Sequence, residues 1–430
     1  MEKILIISYF FPPSRFTAAS RPFAWFKYLH LFGYYPIIVT VDWEAYLEPE
    51  KVATKYPKVV VEKEGEVHFV PLHPSIKEQA SKLGFKASPI GKAFTFLELV
   101  LQNFSLAVLP YRELFAVSDQ LLSSNPTIRI LIASANPYPL FFIASRLGAR
   151  YPHLCWIADY RDDWSTKRLN RQSSYIYKLV YSLEARSERK WLASSVCFIS
   201  VSELLIQRIA AFIAKPGYLV ANGYFEEDYL LPTLQKELNT FVICYSGTLY
   251  PEQDLERFLD VYRMVRKDYQ DRISIELRFI GAEAYPPGAR RLRAAVQDLG
   301  SLVEVYPMVS REKCIQLEAN SDMLLMMAYG SEKGIPTSKL FQYIGHRIPI
   351  MVYPGDDDVI DAIVSDETKL GQRLRGRDQA ISFLIAHLEA KLSTTPYPKV
   401  IDPSYIYRYS RRAQTELLAG VLRSISLVKE

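Results

Sequence analysis

The sequence predicts an α/β protein built on two Rossmann-like sheets. Three observations carry that reading. Short apolar runs rich in β-branched residues recur along the chain, as strands of a buried parallel sheet require. Helix-length amphipathic segments alternate with them. The runs fall into two clusters parted by a turn signal at Asn222-Gly223, in a chain of 430 residues, long enough for two domains.

The first cluster begins with residues 3–8 (KILIIS), a short apolar run that ends at Pro12-Pro13. No small-residue cleavage site follows, so it reads as a first strand and not a signal peptide. Runs follow at 36–41, 67–71, 128–133, 155–159, 196–201 and 218–221. The second cluster holds 241–246, 273–280, 303–306, 323–327 and 348–352. Segments 22–31 and 255–266 are amphipathic helices between strands, and a last helix over 405–424 follows Pro403. The expected division is a first domain over 1–223, an acidic linker over 224–240, a second domain over 241–400 and a C-terminal helix over 401–430.

Composition removes several classes. Hydrophobic residues are 49% and charged residues 23%, which excludes a disordered tail. The four cysteines, Cys155, Cys197, Cys244 and Cys314, form no C-x-x-C, which argues against a zinc ribbon or a redox pair and suits a reducing compartment. No stretch reaches the ~20 apolar residues of a membrane span. Charge is uneven. Residues 1–220 carry 26 Lys/Arg against 18 Asp/Glu, and the remainder 26 against 29. A basic, aromatic-rich first half can face an anionic membrane surface. Residues 164–190 concentrate the effect, with seven Lys/Arg against two Glu and interleaved Tyr175, Tyr177, Tyr181 and Trp191. The apolar stretch 93–110 would join it. Nucleic acid would use the same charges, but no recognition motif accompanies them.

Ligands of open α/β sheets bind beyond the carboxyl ends of the strands, where helix N-termini offer free N–H groups to anions. The richest stretch is 334–352, GIPTSKLFQYIGHRIPIMV. Gly334 and Pro336 make a loop, Thr337 or Ser338 is a suitable N-cap, and Gly345 a suitable C-terminal stop. The helix start, Ser338 and Lys339 can together hold a diphosphate, and Gln342, one turn on, can reach a ribose. A capped helix with a solvated lysine explains the same residues. Asp159, Arg161 and Asp162 lie at a strand end, where a carboxylate can orient an acceptor hydroxyl or the three can brace a loop. Arg15 and Arg21 are the cations nearest the first loop, and Arg21 is expected to face the cleft. Asp356-Asp357-Asp358 imitates a metal motif, but a turn before a helix explains it better.

The run PTSKLFQYIGHRIPIM resembles the donor-site segment of family 4 glycosyltransferases of the GT-B fold, the type that builds bacterial surface polysaccharides. ILIISYFFPPS, WIADYRDDW, FISVSELL with VANGYFEEDY, and FVICYSGTLYPEQDLERFL resemble the family's other motifs, in order, over nearly the whole chain. The resemblance implies two Rossmann-like domains facing across a cleft, with a C-terminal helix returning to the first. It implies sugar transfer from a nucleotide-diphosphate sugar, with retention and with neither metal nor cofactor. The acceptor would be lipid-linked or a glycan, in capsule, exopolysaccharide or lipopolysaccharide assembly at the cytoplasmic face of a membrane. Donor contacts would come from Gly247, Thr248, Glu332, Pro336, Thr337, Ser338, Lys339 and Gln342, and acceptor-side chemistry from Asp162, Asp159 and Arg161, with Arg15 and Arg21 nearby. The sequence departs from the family where two glutamates are usual: Gly334 and Gln342 stand there, and Glu332 is two residues early. A nucleotide-sugar epimerase on the same architecture, or a non-catalytic nucleotide-sugar or glycan-binding scaffold, are the other readings.

Overall fold

The structure, a computed structural model, describes residues 1–44, 56–73, 89–104, 111–166, 175–229, 239–330, 334, 336–393 and 402–428. It divides into two compact units. The first comprises Met1–Ala221 and Thr415–Glu430, the second Asn222–Gln414.

The first unit carries an eight-stranded sheet in the order β3-β4-β2-β1-β5-β6-β7-β8. Its strands are β1 (Glu2–Ser8), β2 (Tyr34–Val41), β3 (Lys58–Val61), β4 (Glu66–Val70), β5 (Ile130–Ala135), β6 (Cys155–Tyr160), β7 (Cys197–Ser200) and β8 (Gly217–Leu219). All pair in parallel except β3, which runs antiparallel to β4 at the sheet edge. The sequence reading has no strand at β3. That strand is mostly exposed, so the continuous apolar run that marks the other strands is missing. Helices α1 (Ser20–Tyr28), α2 (Pro89–Phe104), α3 (Arg112–Ser124), α4 (Pro139–Arg150), α5 (Tyr175–Leu192) and α6 (Glu203–Ile213) connect the strands. Strand alternation explains the two cores. Leu5 and Ile7 of β1 join the layer of α3, α4 and α6, while Ile4 and Ile6 join α1 on the other face. On that second face Leu418, Ala419, Leu422 and Ile425 complete the packing, so the C-terminal helix does return to the first sheet.

The second unit has five parallel strands in the order β11-β10-β9-β12-β13. They are β9 (Thr240–Ser246), β10 (Ser274–Ile280), β11 (Val303–Tyr306), β12 (Met323–Met326) and β13 (Ile350–Val352). Helices α7 (Leu255–Tyr269), α8 (Pro286–Ala295), α9 (Arg311–Ala319), α10 (Ser338–His346) and α11 (Arg377–Leu392) cover the sheet. Side chains of α7, α8 and α11 form one core with alternate residues of the strands. The last helix, α12, runs over Arg411–Val428 and not over 405–424. A short helix, Pro403–Tyr407, precedes it. Ser410 pairs with Tyr224 in a parallel bridge, with Arg411 N–H donating to Tyr224 O at 2.7 Å, which prevents one continuous helix. Tyr224–Tyr229, read from sequence as linker, thus belongs to the second unit. No helix among the described residues is long and apolar enough to cross a membrane.

Candidate active site

In the second sheet the chain builds outward from β9 to β10 and β11, then returns to place β12 and β13 on the other side of β9. The connections leaving β9 and β12 therefore diverge, which opens a crevice at their carboxyl ends. The loop after β9 turns at Gly247 (φ 97°), whose N–H donates to Ile280 O at 2.7 Å. Thr248 follows, and its carbonyl accepts from the Tyr245 hydroxyl at 2.9 Å. The chain after β12 passes Gly330 (φ 55°) and Gly334 (φ 74°), then Pro336, and enters α10. Glu332 lies outside the described residues.

Thr337 occupies the N-cap position in extended conformation but makes no side-chain capping bond. Its hydroxyl is buried and has no hydrogen-bond partner among the described residues. Lys339, in the first turn of α10, reaches across Gly247. A Cβ on that glycine would stand 3.0 Å from Lys339 Cε and 3.3 Å from Nζ. The ammonium sits 3.7 Å from the centre of the Tyr245 ring, is shielded from solvent and has no hydrogen-bond partner among the described residues. Burial pulls its pKa down to about 7, against the opposing pull of Glu318. A cation–π contact contributes about 0.5–2 kcal/mol. That leaves most of the desolvation cost of a buried charge unanswered. The Ser338 backbone and side chain stand at the same helix start, where the dipole favours an anion.

Gln342 points elsewhere. Its Nε2 donates to Glu318 Oε2 at 2.7 Å, and His346 Nε2 lies 2.7 Å from the same oxygen. Glu318 is fully buried on α9. Burial alone would raise its carboxyl, but hydrogen bonding and charge from His346, then hydrogen bonds from Ser246 and Gln342, hold it below the usual range. The amide end expected for a ribose is therefore occupied, and Oε1 is the end left for a hydroxyl. Gly345 is not the helix stop either. Arg347 takes the left-handed C-cap position (φ 58°), and Gly345 lies inside α10, where a Cβ would come within 2.3 Å of the Tyr229 ring.

In the first unit β1 and β5 flank the corresponding switch point. Asp159 is fully buried within β6. Arg21 Nε donates to its Oδ1 at 3.0 Å and Oδ2 at 3.2 Å, Arg21 Nη2 stands 2.9 Å from Oδ1, and Ser134 Oγ donates to Oδ2 at 2.7 Å. Arg21 Nη1 donates to Val220 O at 2.7 Å and Ala221 O at 3.0 Å. The expectation that Arg21 faces the cleft is corrected: it is 1% exposed and braces β6 against the end of β8. Asp159 is its partner and not a free carboxylate. Arg161 Nε donates to Ala135 O at 2.7 Å, which ties the β6 and β5 ends together, and burial lowers its pKa. Asp162 is exposed, as is Arg15. Asp163 pairs with Arg208 at 2.9 Å. Asp356 accepts backbone N–H groups of Asp358, Ile360 and Asp361 at 3.0–3.1 Å, the work of a helix start.

No known protein-family model and no curated protein matches this sequence. Solved structures do match in fold. Sucrose-phosphate synthase from Thermosynechococcus elongatus superposes with a TM-score of 0.63 at 12% identity, over 100% of both chains. The α,α-trehalose 6-phosphate synthase of Burkholderia multivorans gives 0.62 at 11% identity, again over 100% of both. Anabaena HepE in complex with UDP and glucose gives 0.58 at 11%, over 99% of this chain and 100% of that one. The fold is GT-B.

Within this GT-B chain the structure gathers Gly247, Thr248, Pro336, Thr337, Ser338 and Lys339 around one crevice of the second unit. Gln342 stands on the same helix but is turned to Glu318. Sequence reasoning missed Glu318 and Gln253. A lone glutamate near a helix end reads as solvated, and its partner His346 lies 28 residues away. Gln253 is 1% exposed, and its Oε1 accepts from Tyr245 OH and Tyr250 N while Nε2 donates to Met327 O, so it fixes the glycine loop to the end of β12. A glutamine six residues past Gly247 carries no signal of that role. The basic side chains Lys167, Arg168 and Arg171 lie outside the described residues.

Proposed function

We propose that this chain is a glycosyltransferase whose second unit binds a nucleotide-diphosphate sugar and whose first unit serves the acceptor. The observation that carries the reading is Lys339, an ammonium with no hydrogen-bonded anion among the described residues, at a helix start beside a glycine whose missing Cβ keeps the approach open. A diphosphate supplies the absent hydrogen-bonded anion. As the glycosidic bond to the donor breaks, negative charge grows on the diphosphate, and fixed N–H groups with Lys339 stabilise it without reorganising. Oε1 of Gln342 accepts from a ribose hydroxyl while Glu318 holds its amide. Asp162, the exposed carboxylate past β6, orients the acceptor hydroxyl, and Arg161 and the Arg21–Asp159 pair hold that loop in place. Arg15, exposed in the segment after β1, supplies positive charge to the same unit. The structures similar in fold include one solved with UDP and glucose, which supports a uridine nucleotide as the first donor to test.

The finer reading is a retaining, metal-independent hexosyltransferase of surface-polysaccharide assembly, acting on a lipid-linked or glycan acceptor at the inner face of a membrane. The family-like motifs and the basic first half of the sequence support it. Calorimetric titration with UDP, followed by Lys339→Ala, tests the donor site. Loss of about 1.5–3 kcal/mol of binding is expected, the scale of hydrogen bonds to charged groups. Unchanged affinity would overturn the assignment.

A further inference from the structure

A second cavity, of about 210 Å³, lies in the second unit where the chain leaves β13. Arg257, Tyr353, Asp357, Asp361, Arg373 and Arg375 line it, and none of them belongs to the Lys339 crevice. Arg257, in the first turn of α7, lies 5.3 Å from the centre of the Tyr353 ring and donates from Nε to the Tyr353 hydroxyl at 3.2 Å. It has no carboxylate partner among the described residues. Arg373 and Arg375 reach the exposed Asp357 only loosely, at 3.9 and 3.8 Å, and Arg373 also pairs with Asp366. Arg257 and Arg375 are therefore left without a close carboxylate partner among the described residues, the nearest approach being Arg375 to Asp357 at 3.8 Å.

Asp361 is the second observation. It is 4% exposed, and its Oδ2 accepts from Asp357 N–H at 2.6 Å. Its Oδ1 is buried with no hydrogen-bond partner among the described residues. The backbone makes room for this carboxyl, since a Cβ on Gly355 would stand 2.4 Å from Oδ2. Asp356 stands close by but already accepts three backbone N–H groups. Oδ1 thus lacks a donor among the described residues, and burial, with the neighbouring Asp356 carboxyl, raises the Asp361 pKa to about 6.

We propose that this cavity is a second anion site, which binds a small hydroxylated phosphomonoester such as a hexose phosphate. The guanidinium forks match phosphate oxygens in pairs. A hydroxyl on a carbon near the phosphate donates to Asp361 Oδ1. The volume corresponds to about seven water molecules at ~30 Å³ each. It takes a phosphate and the hydroxylated carbons next to it. The site stands independently of the donor reading.

Calorimetry on the full chain tests it with inorganic phosphate, a hexose 6-phosphate, the unphosphorylated hexose and UDP. The hexose phosphate is expected to bind more tightly than inorganic phosphate, and the free hexose not at all. Arg257→Gln with Arg375→Gln should weaken the hexose phosphate at least about tenfold while leaving UDP affinity unchanged. Both side chains are exposed, and Arg375→Gln alone gives the same test if the pair does not fold. Asp361→Asn should erase the preference over inorganic phosphate. Absence of phosphate binding by the wild-type chain, undiminished affinity in the arginine variants, or displacement by UDP each overturns the site. Equal affinity for phosphate and hexose phosphate overturns the role of Asp361.

Discussion

At Lys339 the chain keeps an ammonium away from water with an aromatic face as its nearest support. Folding releases its proton more readily than the unfolded chain does. Between about 7, its folded value, and the ~10.4 of an unfolded lysine, the unfolded state holds more protons. This group therefore makes stability rise as pH rises through that window. Lys339→Met should stabilise the empty protein near pH 7 and flatten the rise toward pH 10, as measured by denaturant unfolding across pH. A bound diphosphate reverses the preference and favours the proton. UDP binding near pH 8 should then take up a proton, which titrations in buffers of different ionisation enthalpy would detect. Arg21 and Asp159 already hold each other as partners. Arg21→Ala strands a buried carboxylate and should cost about 3–5 kcal/mol in denaturant unfolding. Asp162→Asn should leave stability and UDP affinity intact and depress transfer.

Among the elements, the parallel strands were the legible part. A strand covered on both faces must be apolar at every position, and runs such as KILIIS and FVICYS have that character. The edge strand Lys58–Val61 faces solvent and loses the signature. The helix start at Thr337–Lys339 was legible through its Gly and Pro punctuation, whereas the inward turn of Gln342 was not. That turn depends on Glu318 and on a packing contact that no local pattern encodes. Gly345 makes the point sharply, since it reads as a stop and serves as a seat for the Tyr229 ring, whose hydroxyl donates to Gln342 O at 2.7 Å. Gly345→Ala should cost about 1–3 kcal/mol through overpacking. Pairing it with Tyr229→Leu should recover part of that loss in a double-mutant cycle.

For the molecule as a whole, the basic first half and the exposed Tyr175 and Leu179 of α5, 90% and 65% exposed, lead to a membrane test. Sedimentation with anionic vesicles should carry the protein down at low salt and release it as salt rises, since each basic residue near the surface contributes about 1 kcal/mol. Lys167, Arg168 and Arg171 replaced by glutamate should abolish it. Equal pelleting with neutral vesicles would instead assign the binding to apolar contact.

The C-terminal helix has one more consequence. Leu418, Ala419, Leu422 and Ile425 fill one face of a sheet whose first strand is residues 2–8. During synthesis the part of that face that α1 does not cover stays open while the whole second unit is being made, because its last packing layer leaves the ribosome after residue 414. The nascent first sheet must wait, part of its apolar side uncovered, for a segment made some two hundred residues later. At ~5–20 residues per second, the wait runs from about ten to about forty seconds.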